Sequence, residues 1–211
     1  MQTLRNISKI LSTGAVVALL VMGVACKKPP VPGRVAVAGD SVIWQSLLYG
    51  GEYHGADFEQ KTAPGTVAAH AIPRVERDVD GYTTSPDVLV IAFGQNYAEP
   101  NAYGATQKQD LMRLVYDPAD AACVVVVLPD NARGSTHVNQ VRADLTTLAN
   151  SRPRSVIVDW TTVVAAHPEY LNADHVHLEV PLYEDWVAAG GVPEPEAVAF
   201  AELVWSGVER C

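Results

Sequence analysis

From Arg34 onward the chain alternates short, unbroken apolar runs with longer stretches whose apolar residues recur every three or four positions. The runs are RVAVAG (34–39), DVLVIAFG (87–94), CVVVVLP (123–129) and SVIVDW (155–160). Rich in valine and without alternating polar positions, they predict strands buried on both faces. A weaker run over 56–61 predicts one more strand. SVIWQSLLYG (41–50), ATQKQDLMRLVYD (105–117) and VNQVRADLTTLAN (138–150) have helical periodicity. EPEAVAFAELVWSGVER (194–210) predicts a closing helix, with acidic residues in its first turn and Arg210 at its end. Strands alternating with helices build βαβ units with right-handed crossovers, so the pattern predicts an α/β fold on a parallel sheet. In such a sheet, function gathers beyond the carboxyl ends of the strands.

Composition supports a packed domain: 48% of residues are hydrophobic and 18% charged, which argues against disorder. The net charge of −9 and the lack of any basic stripe argue against nucleic acid as a partner.

The first residues read differently. Arg5 and Lys9 precede GAVVALLVMGVA (14–25), an apolar core shorter than the roughly 20 residues that span a bilayer. This predicts a signal peptide over 1–25. The following GVAC resembles the cleavage box of bacterial lipoproteins, which would make Cys26 the lipidated N-terminus and membrane anchor. GVA also fits an ordinary signal-peptidase site in a secreted protein, and an uncleaved anchor is a third option. All three place the body outside the cytoplasm. KKPPVPG (27–33), with its three prolines, predicts a semi-rigid spacer before a single domain over 34–211.

Candidate chemistry sits where the strands are predicted to end. Gly39, Asp40 and Ser41 follow the first run, and Gly65 in APGT follows the weak one. Gly94 and Asn96 in GQN follow the next, and NADHVHLE (172–179) brings Asp174 and His177 after the last. Singly, these are helix caps and turn residues. His175 and His177, at alternate positions, also have the look of a zinc-binding pair. Jointly they supply what serine catalysis needs: a nucleophile, a general base, an orienting acid and oxyanion donors.

On these residues the chain resembles the SGNH or GDSL hydrolases over residues 34–210, with the motif blocks in the family's order. The resemblance implies a flavodoxin-like three-layer sandwich around a five-stranded parallel sheet. It implies Ser41 as nucleophile, Asp174 and His177 as its triad partners, and an oxyanion hole from the Ser41 backbone, Gly65 and Asn96. VAVAGDSV together with VIVDWTTVV and LNADHVHL is similar to SGNH domains attached to membrane acyltransferases of envelope polysaccharides. Within that pattern Asp159 reads as the cap of the helix beginning TTVV, not as the triad acid. The implied activity is an extracytoplasmic esterase or O-acyltransferase acting on acyl, in particular acetyl, esters through an acyl-serine. Its substrate would be a small-molecule or cell-envelope carbohydrate ester, and neither metal nor cofactor is required. A glycan-binding or scaffolding lipoprotein without turnover is the alternative. One departure is LEVPLYEDWVAAGGVP (178–193), inserted after His177. It reads either as a surface loop or as a wall of the site in which Tyr183 and Trp186 stack on a sugar.

With Cys26 lipidated, Cys123 and Cys211 remain in an oxidising compartment. Cys123 opens a strand at the amino-terminal edge of the sheet. A closing helix packed antiparallel to the strands ends at that same edge, which brings Cys211 within reach. A disulfide is predicted, with two free thiols as the alternative.

Overall fold

The computed structural model describes residues 34–50, 57–62, 86–97, 103–116 and 123–211. The predicted signal segment, Cys26, the predicted spacer and Gly65 lie outside these residues. The strands are β1 (Arg34–Gly39), β2 (Asp57–Thr62), β3 (Val88–Ala92), β4 (Cys123–Leu128) and β5 (Ser155–Asp159). All pair in parallel, in the order β2-β1-β3-β4-β5. This is the flavodoxin-like order, whose direction reverses between β1 and β3.

Among the described residues, four helices cover the two faces: α1 (Ser41–Leu48), α2 (Ala105–Tyr116), α3 (Thr136–Ser151) and, last in the chain, α6 (Pro195–Val208). Two shorter helices, α4 (Thr161–Ala166) and α5 (Tyr183–Ala188), lie between α3 and α6. The inner strands β3 and β4 are apolar at every position because successive side chains enter two different cores. Val35, Val37, Val90 and Val125 pack with Phe200 and Val204 of α6, while Ala36, Leu89, Ile91 and Val126 pack with Leu111 of α2 and Leu145 of α3. Leu111 and Leu145 are wholly buried. Removing either side chain to alanine costs about 2–5 kcal/mol.

Asp159 behaves as the sequence predicts. Its Oδ1 accepts the Thr161 N–H at 3.0 Å, at the start of α4. Arg142 on α3 donates to both carboxylate oxygens, at 3.0 and 2.7 Å. Desolvation pushes this carboxyl up, but the Arg142 bonds outweigh it and hold it below the ordinary aspartate value. The neighbouring Trp160 turns into the core, edge-on to Phe200 with ring centres 5.0 Å apart.

A disulfide joins Cys123, at the start of β4, to Cys211 just past α6, with Cα atoms 5.7 Å apart.

The insertion packs against α1. Tyr183 and Trp186 pack edge-on against Tyr49, with ring centres 6.2 and 5.5 Å from it. The Tyr49 hydroxyl donates to the Pro181 carbonyl at 2.8 Å. Tyr49 closes α1 at the end away from Ser41, about 12 Å along the helix. The two aromatics therefore fasten the insertion to the foot of α1, and neither is among the described residues that line the cleft at Ser41. Edge-to-face contact between partly buried rings explains why aromatic residues stand there.

Candidate active site

The reversal between β1 and β3 leaves a crevice at the carboxyl edge of the sheet, and Ser41 stands in it as the first residue of α1. The tight turn before it explains its neighbours. A Cβ on Gly39 would lie 2.4 Å from Ile43 Cγ2 and 2.9 Å from the Ala92 carbonyl oxygen, so no side chain fits there. The Asp40 carboxylate accepts the Val42 N–H at 3.2 Å as the cap of α1, and also takes the backbone N–H groups of Gly94 and Gln95. The Asp40 N–H in turn donates to the Ala92 carbonyl at 3.0 Å. The β1 turn and the β3 turn are thus tied together through Asp40. Asn96 lies in the second of these, within the 3-10 turn Gln95–Tyr97. Gly94 makes that turn with φ +139°, and a Cβ there would sit 2.6 Å from Pro129 Cγ. Asp40 is 2% exposed, and burial pushes its carboxyl up to about 6 against the pull of these hydrogen bonds and of His177.

His177 and Asp174 arrive on one loop. Leu171 and Leu178 form an isolated antiparallel bridge that closes it, and the Asn172 N–H donates to the His177 carbonyl at 2.9 Å. Inside the loop, Asp174 Oδ1 accepts the Val176 and His177 N–H groups at 2.7 and 3.0 Å. Its Oδ2 stands 2.6 Å from His177 Nδ1. A carboxylate only accepts, so Nδ1 carries the proton and Nε2 is left as an acceptor. Nε2 faces Ser41 Oγ at 2.8 Å, within reach of the proton it would abstract. Desolvation raises the Asp174 pKa, but the hydrogen bonds from His177 and Val176 prevail and hold the carboxyl ionised below its usual range.

Three residues that the sequence reading did not single out hold this loop in place. Asn172 Oδ1 accepts the Asp174 N–H at 2.8 Å, and Gln45 Oε1 on α1 accepts the Leu178 N–H at 3.1 Å. Arg133, from the loop after β4, donates through Nε to the Asp174 carbonyl, with Nη2 3.9 Å from Oδ2. Asn-x-Asp is an Asx-turn pattern visible in the sequence, and Gln45 is four residues after Ser41 on the same predicted helix face. Nothing local marks Arg133, whose contact spans 41 positions. Ser41, Trp44, Gln45, Asn172 and His177 line a cleft of about 270 Å3.

Both ring nitrogens of His177 are engaged by Ser41 and Asp174. His175, at φ +56°, is exposed on the outside of the loop. Among the described residues no cluster of three or more potential metal ligands occurs. Of the groups predicted to face an oxyanion, the Ser41 N–H is the first of α1 and has no intrahelical acceptor. Asn96 is half-buried at the same edge.

No protein-family model and no curated relative matches the sequence. Solved structures do match. The catalytic domain of peptidoglycan O-acetyltransferase A from Streptococcus pneumoniae superposes with a TM-score of 0.64 at 20% identity, over 85% of this chain and 94% of that one. An acetylxylan esterase from Geobacillus stearothermophilus matches with a TM-score of 0.57 at 16% identity, over 84% and 98%. A SGNH-hydrolase family esterase matches with a TM-score of 0.52 at 19% identity, over 80% and 96%.

Proposed function

With an SGNH-hydrolase fold as the frame, we infer that this chain is a serine ester hydrolase or O-acyltransferase that works through an acyl-serine. The observation that carries the reading is the chain of short contacts from Ser41 Oγ through His177 to Asp174. Ser41 attacks the ester carbonyl while His177 Nε2 takes its proton, and Asp174 steadies the imidazolium that forms. The tetrahedral oxyanion falls at the N-terminus of α1, where the Ser41 N–H and the helix dipole favour negative charge. Asn96 is the proposed side-chain donor and Gly65 the third. His177 then returns the proton to the departing alkoxide. Water or another hydroxyl repeats the sequence in reverse to free the acyl group.

For the substrate we propose an acetyl ester of a cell-envelope carbohydrate. The likeness to a peptidoglycan O-acetyltransferase and an acetylxylan esterase supports this, as does the leader ahead of the domain. The leader and the proline-rich spacer also support a lipoprotein anchored through Cys26 and held outside the cytoplasm. Loss of palmitate labelling in Cys26→Ser is the test of that anchor.

The activity is tested by release of acetate from p-nitrophenyl acetate and from O-acetylated cell-wall glycan. A serine-directed organophosphonate should leave a single adduct on Ser41, read by mass spectrometry. Absence of both turnover and adduct overturns the reading.

A further inference from the structure

Resting on the ester reading, we propose that the cleft on the histidine side of Ser41 is the subsite for the alcohol half of the ester, and that it is built for a sugar ring. The side follows from the chemistry. When the acyl–oxygen bond breaks, the departing alkoxide takes its proton from His177 Nε2, so that oxygen lies within hydrogen-bond reach of the imidazole. The carbonyl oxygen points the other way, toward the start of α1. The group carried by the alkoxide therefore occupies the cleft bordered by His177, which Trp44, Gln45 and Asn172 complete.

The lining selects a polyol. Gln45 and Asn172 each have the side-chain oxygen committed to a backbone N–H, that of Leu178 and that of Asp174. An N–H needs an acceptor, so these contacts set the orientation of both amides and leave the NH2 groups as the donors with remaining capacity. Hydroxyl lone pairs are what such donors take. Trp44 is three residues after Ser41 on α1, half-exposed, and adds a flat apolar surface at the same cleft. An aromatic face beside amide donors suits a sugar, which has an apolar C–H face and a polar edge. An alkyl alcohol would leave both amide donors unpaired, at a cost. At about 270 Å3 the cleft lies just below the usual range for ligand pockets, which fits one ring more readily than an extended chain.

The test compares two esters with the same acyl group, 6-O-acetylglucose and ethyl acetate. The wild type should prefer the sugar ester in kcat/KM, and Trp44→Ala should reduce that preference about tenfold. Trp44→Leu keeps apolar bulk but loses the flat face, so it should also lower the ratio, and it covers the case in which alanine upsets folding. A second arm measures cellobiose binding to Ser41→Ala by saturation-transfer NMR, with and without Trp44→Leu. Hydrolysis of both esters at a ratio that Trp44 does not alter, with no cellobiose signal, overturns the sugar subsite and leaves the ester reading standing. Cellobiose binding that depends on Trp44, with neither turnover of an ester nor an organophosphonate adduct on Ser41, supports a sugar site and overturns the ester reading.

Discussion

Ser41 Oγ and His177 Nε2 lie 2.8 Å apart although 136 residues separate them in the chain. Two elements make the meeting. Helix α1 starts at the serine, and the loop closed by Leu171 and Leu178 is tied back to α1 through Gln45. Under the proposed acyl-serine mechanism Ser41, His177 and Asp174 act as a unit, so Ser41→Ala and His177→Ala should each lower kcat on p-nitrophenyl acetate by roughly a thousandfold or more, and the double variant should cost little beyond that. His175→Gly should retain turnover, because His175 is exposed and its left-handed φ of +56° suits glycine. Inactivity of His175→Gly with an active His177→Ala would refute the assignment of the base.

The two aspartates of the C-terminal third should separate cleanly. Asp174→Asn removes the charge that orients His177 and should lower kcat by roughly a thousandfold or more, with the fold intact. Asp159→Asn loosens the clamp with Arg142 and should cost about 1–2 kcal/mol in urea unfolding, with turnover retained. Steady-state kinetics and denaturation on the same two preparations decide the matter.

Asp40 predicts a pH dependence. Burial raises its carboxyl from 3.8 to about 6, so between these values the native state holds a proton that the unfolded chain has lost. The sign follows: this group's contribution to stability falls as pH rises through that window and is constant above it. The wild type should therefore lose about 2 kcal/mol relative to Asp40→Asn between pH 4 and pH 6.5. Urea titrations of both proteins across this range measure the difference, and parallel curves would refute it.

The Cys123–Cys211 bridge closes a loop of 88 residues and is predicted to stabilise by about 4 kcal/mol. Cys211→Ser should lower the urea midpoint accordingly. Turnover at 25 °C should persist, because the bridge lies at the edge of the sheet opposite Ser41. Two titratable thiols in the denatured, unreduced protein made from residue 27 onward would refute the bridge.

The elements of this fold are written in local pattern. Val35 to Ala38 and Val88 to Ile91 announce buried strands because a parallel sheet covered on both faces tolerates no alternating polar residue. Gly39, Asp40 and Ser41 were legible as a turn into a helix, and Asp174 with His177 as an acid and a base three positions apart. The sequence alone also marked Asp159 as a cap, since a carboxylate just before a helix meets free N–H groups whatever the fold around it. Other features depended on which distant surfaces meet. Arg133 reaches Asp174 only because the loops after β4 and β5 emerge on the same edge of the sheet. The rise of the Asp40 pKa needs the closure of β1 against β3, which removes water from a group that alone would be an ordinary cap. Tyr183 and Trp186 gave the same aromatic signal for a sugar platform as for a packing staple, and the position of Tyr49 at the foot of α1 chose the staple. Residue type and spacing decide what a segment can do locally, because backbone geometry and capping act over a few residues. Tertiary packing decides what it faces, because burial and long-range contact depend on chain brought from far away.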